Sequence, residues 1–396
     1  MSSPLLTPNR IDYDNLHALY KYKGPKATCR LLKESLDKGS VAPTDFRLRK
    51  MGEAFVGREW VESLIDPSGG YQLLTEAPVD LTTFKNITGQ IVYRQVLQGW
   101  EYADAGVMER LARVVPTNLS GEKIAGIGKI VATEGYEVRA GHPYPTAGLS
   151  EHWIETPETT KKGLIVEILK EDVYFDRTGQ VLERASDVGE VLSIDKLERM
   201  LKVVLGLVNN HNWKGTAYDT YQSSTPWINV KTSQALVDWT SIEAARLVLA
   251  GNTHPDTGKP IVMRGTDLLV MPAKEWTAKN IVGASEIRTA TQSAAQTLIA
   301  GNPLAGSVKM PLASQFAYAL NVASGVSAAN TNNTWIYGDF LKAFSYRQNW
   351  PITVVQAPAN NEAEFTRDVT ARFKASERGV MAVMEPRAVC KVTNDS

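Results

Sequence analysis

Apolar residues at Val181, Ala185, Val188, Leu192, Ile194, Leu197, Leu201, Val204 and Val208 recur every three or four positions, which is the repeat of an amphipathic helix. Unbroken from Gln180 to Val208, such a helix is about 44 Å long at 1.5 Å per residue, with a phase shift near Ser193 and a bend or tight contact at Gly189. Upstream, the pattern predicts helices over Ala27 to Lys38, ended by a left-handed Gly39, and over Thr44 to Leu64, capped by Thr44 or Asp45 behind Pro43. From Phe84 to Val115, Ile91, Val92, Val96, Leu111 and Val114 keep helical spacing, with breaks at Gly99 and Gly106. The next stretch, Asn118 to Gly163, is rich in glycine and proline and has no periodic helix face. Within it Tyr136 to Ala140 and His152 to Thr156 alternate with period two and are joined by about ten residues containing Pro143, Pro145 and Gly148, so a long hairpin is predicted. A two-stranded ribbon alone is marginal in water. One carrying Tyr136, Tyr144, His152 and Trp153 is therefore expected to lie on another surface, which makes these four residues candidate inter-subunit contacts.

Downstream the two periods mix. Leu164 to Leu169 reads as an apolar strand, and Glu171 or Asp172 starts a helix whose dipole favours negative charge there. Thr240-Ser-Ile-Glu243 has capping-box spacing ahead of the face formed by Ile242, Ala245, Val248 and Leu249, and Gly251 supplies the stop. A turn over Thr253 to Pro260 and a strand from Asp267 to Met271 follow, then a helix from Ala273 to Val282 opened by Pro272. Ser285 to Asn333 reads as surface loops with a modest helical pattern, and Trp335 to Tyr337, Ile352 to Val355, Phe365 to Phe373, Val380 to Val383 and Ala388 to Val392 read as short strands. The class is α+β, without an internal repeat.

Composition narrows the function more than the fold. The 396 residues are 43% hydrophobic and 22% charged, an ordinary globular balance that allows two or three domains or one elaborated unit. Lys and Arg number 43 and so do Asp and Glu, so net charge gives no reason to expect a nucleic-acid reader or a polybasic membrane binder. Residues 10 to 60 hold eleven basic against seven acidic side chains, an excess read as a solvated helix face in preference to a polyanion contact. Cys29 and Cys390 stand far apart, as in a reducing compartment. Neither a signal-like start nor an apolar run of about 18 residues is present, so no export and no membrane partner are expected.

Catalytic signatures are missing in the same way. Gly126-Ile-Gly-Lys-Ile-Val131 lacks the third glycine of a dinucleotide fingerprint, and Pro260 stands where a phosphate loop ending in Gly258-Lys259 needs a hydroxyl. No two of His17, His142, His152, His211 and His254 have zinc-helix spacing, and no nucleophile elbow occurs. Glu167, Glu171, Asp172 and Asp176 cluster but suit a helix start better than a hydrolytic pair. Trp213, Trp227 and Trp239, with Tyr218 and Tyr221, read as core anchors. No catalytic, metal or cofactor site is expected, which leaves a chain built for assembly.

The order of arm, ribbon, long helix and mixed region resembles the major capsid proteins of tailed bacteriophages, whose Hong Kong 97-type coat fold encapsulin shells share. Local strings are similar to the Mu-like major head subunit group: Lys162-Gly-Leu-Ile-Val-Glu-Ile-Leu-Lys-Glu-Asp-Val-Tyr-Phe-Asp176, Gly258-Lys-Pro-Ile followed by Leu268-Leu-Val-Met-Pro272, Trp335-Ile-Tyr-Gly-Asp339, Phe365-Thr-Arg-Asp368, Glu377-Arg-Gly-Val380 and Pro386-Arg-Ala-Val389. The chain departs from that pattern at Leu169, usually Thr or Ser, and at Asp172, usually Ala. The resemblance implies an N-terminal arm over 1–65, a helical joining segment over 66–130, an extended loop over 131–163, and a peripheral domain with the spine helix over 164–235. A mainly axial domain over 236–365 and closing strands over 366–396, returning to the peripheral domain, complete it.

In function, the resemblance implies hexamers and pentamers of this chain forming an icosahedral shell around double-stranded DNA, held by non-specific contact, with the extended loop lying across a neighbour. Portal and scaffolding proteins, and a decoration protein, are the further partners it implies. The place is the virion, after assembly in the host bacterial cytoplasm. The alternatives are an encapsulin-type shell around cargo enzymes and a soluble α/β enzyme with a site among Asp172, Asp176 and His211.

Overall fold

A computed structural model describes residues 6–7, 10–64, 79–102, 106–126, 140, 143, 152–209, 211–254, 258–290, 297–357 and 366–393. The chain forms two compact units, each assembled from three separated segments. Residues 1–105, 161–195 and 350–378 make the first, and 106–160, 196–349 and 379–396 the second. Each has its own hydrophobic core. Mixed helix and strand confirm the α+β class, and the order of N-terminal helices, long helix and late strands is that expected of a Hong Kong 97-type coat.

In the first unit the core is mainly helical. Helices Tyr13–Lys23, Pro25–Asp37, Leu48–Phe55, Arg58–Ser63 and Val79–Tyr102 bury Leu16, Leu32, Met51, Phe55, Phe84 and Ile91 together with Ile168 and Phe373 from later strands. The predicted Thr44–Leu64 helix is three pieces: a 3-10 turn over Pro43–Asp45 precedes the two helices, which separate at Gly57 with φ 120°. Asp45 does not cap the next helix; its carboxylate accepts from the Ala42 amide at 2.8 Å. Gly39 is left-handed as expected, with φ 66°.

The long helix spans Thr178–Val204, about 40 Å at 1.5 Å per residue. Helix Val79–Tyr102 runs through Gly99 without a break. Gly99 serves close packing: a side-chain carbon there would overlap the Ser186 carbonyl, and one at Gly189 would overlap the Val96 carbonyl. Two helices thus meet backbone to backbone, and the tight contact inferred at Gly189 is real. Asp172, buried in the turn before the long helix, accepts from the Leu169 amide at 3.2 Å and pairs with Arg184 at 3.3 Å.

The second unit centres on a five-stranded sheet in the spatial order Leu312–Ala313, Asp267–Val270, Trp335–Gly338, Val389–Val392, Val230–Lys231. The middle three are antiparallel, with Asp267 opposite Gly338 and Tyr337 opposite Cys390, while both outer pairings are parallel. Helix Trp239–Ala250 buries Ile242, Ala245 and Leu249 in the same core. Its cap is Asp238, whose carboxylate accepts from the Thr240 and Ser241 amides, and not Thr240 as the capping-box spacing suggested. A buried Asp267 is held by Arg110 at 3.0 Å and Lys309 at 3.1 Å, which supplies the pairing a buried carboxylate requires. Within the stretch read as loops, Glu286–Ala290 and Thr297–Gly301 form an antiparallel ribbon, and Gln315–Ala323 and Ala328–Asn333 are helices.

Candidate assembly surface

A second sheet of this unit frames the base of the predicted loop. Its strands lie in the order Lys123–Ala125, Trp153–Glu155, His211–Trp213, Thr216–Tyr218, all antiparallel. The last two are joined by Lys214 and Gly215 at φ 53° and 81°, the pair of positive angles a tight hairpin turn needs. The Gly126 amide donates to the His152 carbonyl at 3.0 Å. Gly126 and His152, which flank residues 127–151, are therefore neighbours. Tyr136 and Tyr144, and the strand expected at Tyr136 to Ala140, lie outside the described residues.

Aromatic rings fix this base. His152 is buried at 5% exposure and stacks on Trp213, centroids 5.4 Å apart and planes within 5°. Trp213 meets Tyr218 and Trp227, and His211 meets Trp227 edge-on at 5.2 Å. Trp227 is 5% exposed, so the reading of the Trp213 and Trp227 rings as anchors holds. The His152 ring is stacked inside its own chain, because the neighbouring strand places Trp213 against it. Trp153, on the opposite face of the same strand, is half-buried; Lys123 lies 4.4 Å over its ring and pairs with Glu155 at 3.2 Å.

His211 is buried between Trp227 and the strand carrying Val383. Burial pushes its pKa down to about 4, with Arg387 adding in the same direction, against the bond to the Val383 carbonyl at 3.1 Å. Since a carbonyl only accepts, Nδ1 carries the proton. The cavity beside His211, Trp213 and Trp227 has a volume of about 10 Å³, about the room one water needs.

The residues of the enzyme alternative are each engaged otherwise. Asp172 caps a helix turn, Asp176 sits at φ 51° and accepts from the Thr178 hydroxyl at 2.8 Å, and His211 is bonded in the other unit. Burial pushes the Cys390 thiol up to about 12, far from nucleophilic range.

Sequence reasoning missed the largest exposed ring. Trp276, on helix Glu275–Gly283, is 74% exposed, with Lys279 5.1 Å over its ring. Its helix buries Ala278 and Val282, and Trp276 falls on the opposite side, a displacement legible from helical spacing. The exposed Met310 reaches the same side at Gly283, where its methyl lies 3.6 Å from an added side-chain carbon. Val237, Leu247 and Val262 of this unit are also more than half exposed. Isolated apolar residues on a surface are ordinary, whereas a contiguous apolar patch marks contact with another molecule, and Trp276 and Met310 lie on one side of the same helix.

Comparison with known proteins agrees with an assembling chain. The family model described as phage capsid protein matches residues 154–392, more than half the chain. The chain belongs to the phage capsid protein family. The tailed-phage major capsid protein inferred from the order of its strings stands on this match. Among solved structures the chain is similar to the capsid of a native GTA particle, at 12% identity over 74% of this chain and 91% of that one, with a TM-score of 0.41. The capsid of Cyanophage P-SCSP1u is matched at 11% identity over 73% and 88%, TM-score 0.44. The holo-SrpI encapsulin complex from Synechococcus elongatus is matched at 10% over 74% and 88%, TM-score 0.41. No curated protein matches the sequence.

Proposed function

We propose that this chain is the head subunit of a tailed phage and self-assembles as hexamers and pentamers into an icosahedral shell enclosing double-stranded DNA. The family match over residues 154–392 carries the reading. Two features of the second unit support it. The segment between Gly126 and His152 is pinned at its base by a hydrogen bond and a stacked ring pair, and the exposed side of helix Glu275–Gly283 offers Trp276 to a neighbour.

On this reading Tyr136, Tyr144 and Trp153 contact the adjacent subunit while His152 stabilises the strand behind them. Portal, scaffolding and decoration proteins are the further partners, and assembly takes place in the host cytoplasm. Many modest contacts repeated around a closed shell add through multivalency, so each stays weak enough to be corrected during assembly. Equal numbers of acidic and basic side chains limit repulsion between subunits.

Electron microscopy of the purified native assembly, with absorbance at 260 and 280 nm before and after nuclease, tests this. Closed shells holding nuclease-protected DNA are expected. Shells holding protein would assign the chain to an encapsulin-type compartment, and a stable monomer with a turnover would overturn the reading.

A further inference from the structure

Residues 15–33 carry Lys21, Lys23, Lys26, Arg30 and Lys33 and no Asp or Glu, in a chain whose charges balance overall. Helix Tyr13–Lys23 ends in this run and helix Pro25–Asp37 begins in it, the two meeting at Gly24 with φ 82°. The second helix buries Thr28, Leu32, Ser35 and Leu36, so Lys26, Arg30 and Lys33, spaced i, i+4, i+7, form one exposed stripe about 10 Å long. Tyr22, between two lysines, is 90% exposed.

Helix stability explains only part of this arrangement: Lys21 and Lys23 lie in the last turn of the first helix, where the dipole favours cations. Lys26 stands in a first turn that has no acidic residue, where the helix dipole disfavours a cation. The nearby acids are matched by arginines: Glu34 pairs with Arg30 at 3.2 Å and Asp37 with Arg94 at 3.6 Å. Among the described residues no carboxylate pairs with Lys23, Lys26 or Lys33. Beside the stripe runs an open groove of about 460 Å³, with Arg30, Lys33, Asn86, Gln90, Tyr93 and Gln356 along it. Its floor is the Phe373 ring against Gly89.

We infer that this stripe is the surface through which the subunit holds the phosphate backbone of double-stranded DNA, an inference that rests on the shell reading above. Exposed lysines need no fixed partner geometry to neutralise phosphates, and contacts of that kind are independent of sequence and sensitive to salt. An acidic protein segment is the lesser fit. The cations on the groove rim, Arg30 and Lys33, match an evenly charged phosphate backbone without needing the fixed partner geometry that a peptide requires.

The test is binding of the full-length protein to a short mixed-sequence duplex over a series of salt concentrations. The triple variant Lys23→Gln, Lys26→Gln, Lys33→Gln should lower the slope of log affinity against log salt by roughly 2 to 3, since each phosphate contact contributes about 0.9. A control changing Lys231→Gln and Lys342→Gln, both exposed, should leave the slope as in the parent. An unchanged slope in the triple variant overturns the inference, as does a parent protein that binds no duplex at low salt. If the triple variant keeps the slope but no longer closes shells, the stripe is a protein contact and the inference also fails. A lowered slope in a protein whose parent forms no shells would uphold the DNA surface and sink the shell reading instead.

Discussion

Two aromatic regions of the second unit have opposite fates. Where residues 127–151 leave and rejoin the sheet, His152, Trp213 and Trp227 are packed within one subunit, whereas Trp276 stands exposed on a helix side with Lys279 over its ring. Residue type is the same; what differs is the position relative to the buried face of the element. Trp227 is 5% exposed and Trp276 74%. Large rings inside stabilise the subunit, and a large ring outside acts only when another subunit covers it.

Substitutions separate the two regions by size of effect on the isolated subunit. Trp227→Ala should cost about 3 to 5 kcal/mol in thermal or denaturant unfolding, the usual range for removing a buried large ring. Acid comes next. His211 titrates lower in the folded subunit than in the unfolded chain, so the unfolded state takes up the proton first. Its contribution is complete above the unfolded value near 6.5 and is lost as pH falls toward about 4, some ~3 kcal/mol in all. His211→Gln should flatten the stability profile in that window, and a profile still falling as steeply would place the acid sensitivity elsewhere.

Trp153→Ala should cost about 1 to 2 kcal/mol through the lost Lys123 contact and half-buried area, together with a lower yield of particles. Loss of stability with normal particle yield would make Trp153 an anchor like Trp227. Smallest in the subunit is Trp276→Ala, within about 0.5 kcal/mol of the parent, yet particle yield should fall severalfold. Stability lost in step with yield would erase the contrast between the two regions.

Much of the fold was legible where one element buries one face. The long helix was placed to within a few residues because its apolar spacing is regular, and of the two readings of Gly189, a bend or a tight contact, the structure has the tight contact. Legibility failed where a distant segment sets the conformation. The two short strands predicted at Phe365 to Phe373 and Val380 to Val383 are joined in one strand, Val369–Val383. A side-chain carbon at Gly379 would lie 2.7 Å from the Tyr346 ring, so glycine there permits close pairing and does not end the strand. Likewise Phe344–Gln356 is a single strand that continues through Pro351, of which Ile352 to Val355 alone was predicted. The ribbon of Glu286–Ala290 and Thr297–Gly301 has only Ile287, Leu298 and Ile299 as large apolar residues, too few for a period to reveal it. In the first core, Leu16, Ile168 and Phe373 are buried together, a grouping no local pattern contains.

The candidate site was half legible. Aromatic residues near 152 were identified, but strand alternation did not tell which ring faces inward, since that is decided by Trp213 arriving from a strand some sixty residues later. Trp276 needed only the helical wheel of its own nine residues.

A cryo-electron microscopy reconstruction of the native particle is the most direct test. The prediction is a closed shell in which Trp276 is covered by an adjacent subunit, while His152, Trp213 and Trp227 touch only their own chain. A shell with Trp276 open to solvent, or with the Trp227 cluster rebuilt across a subunit boundary, would contradict it.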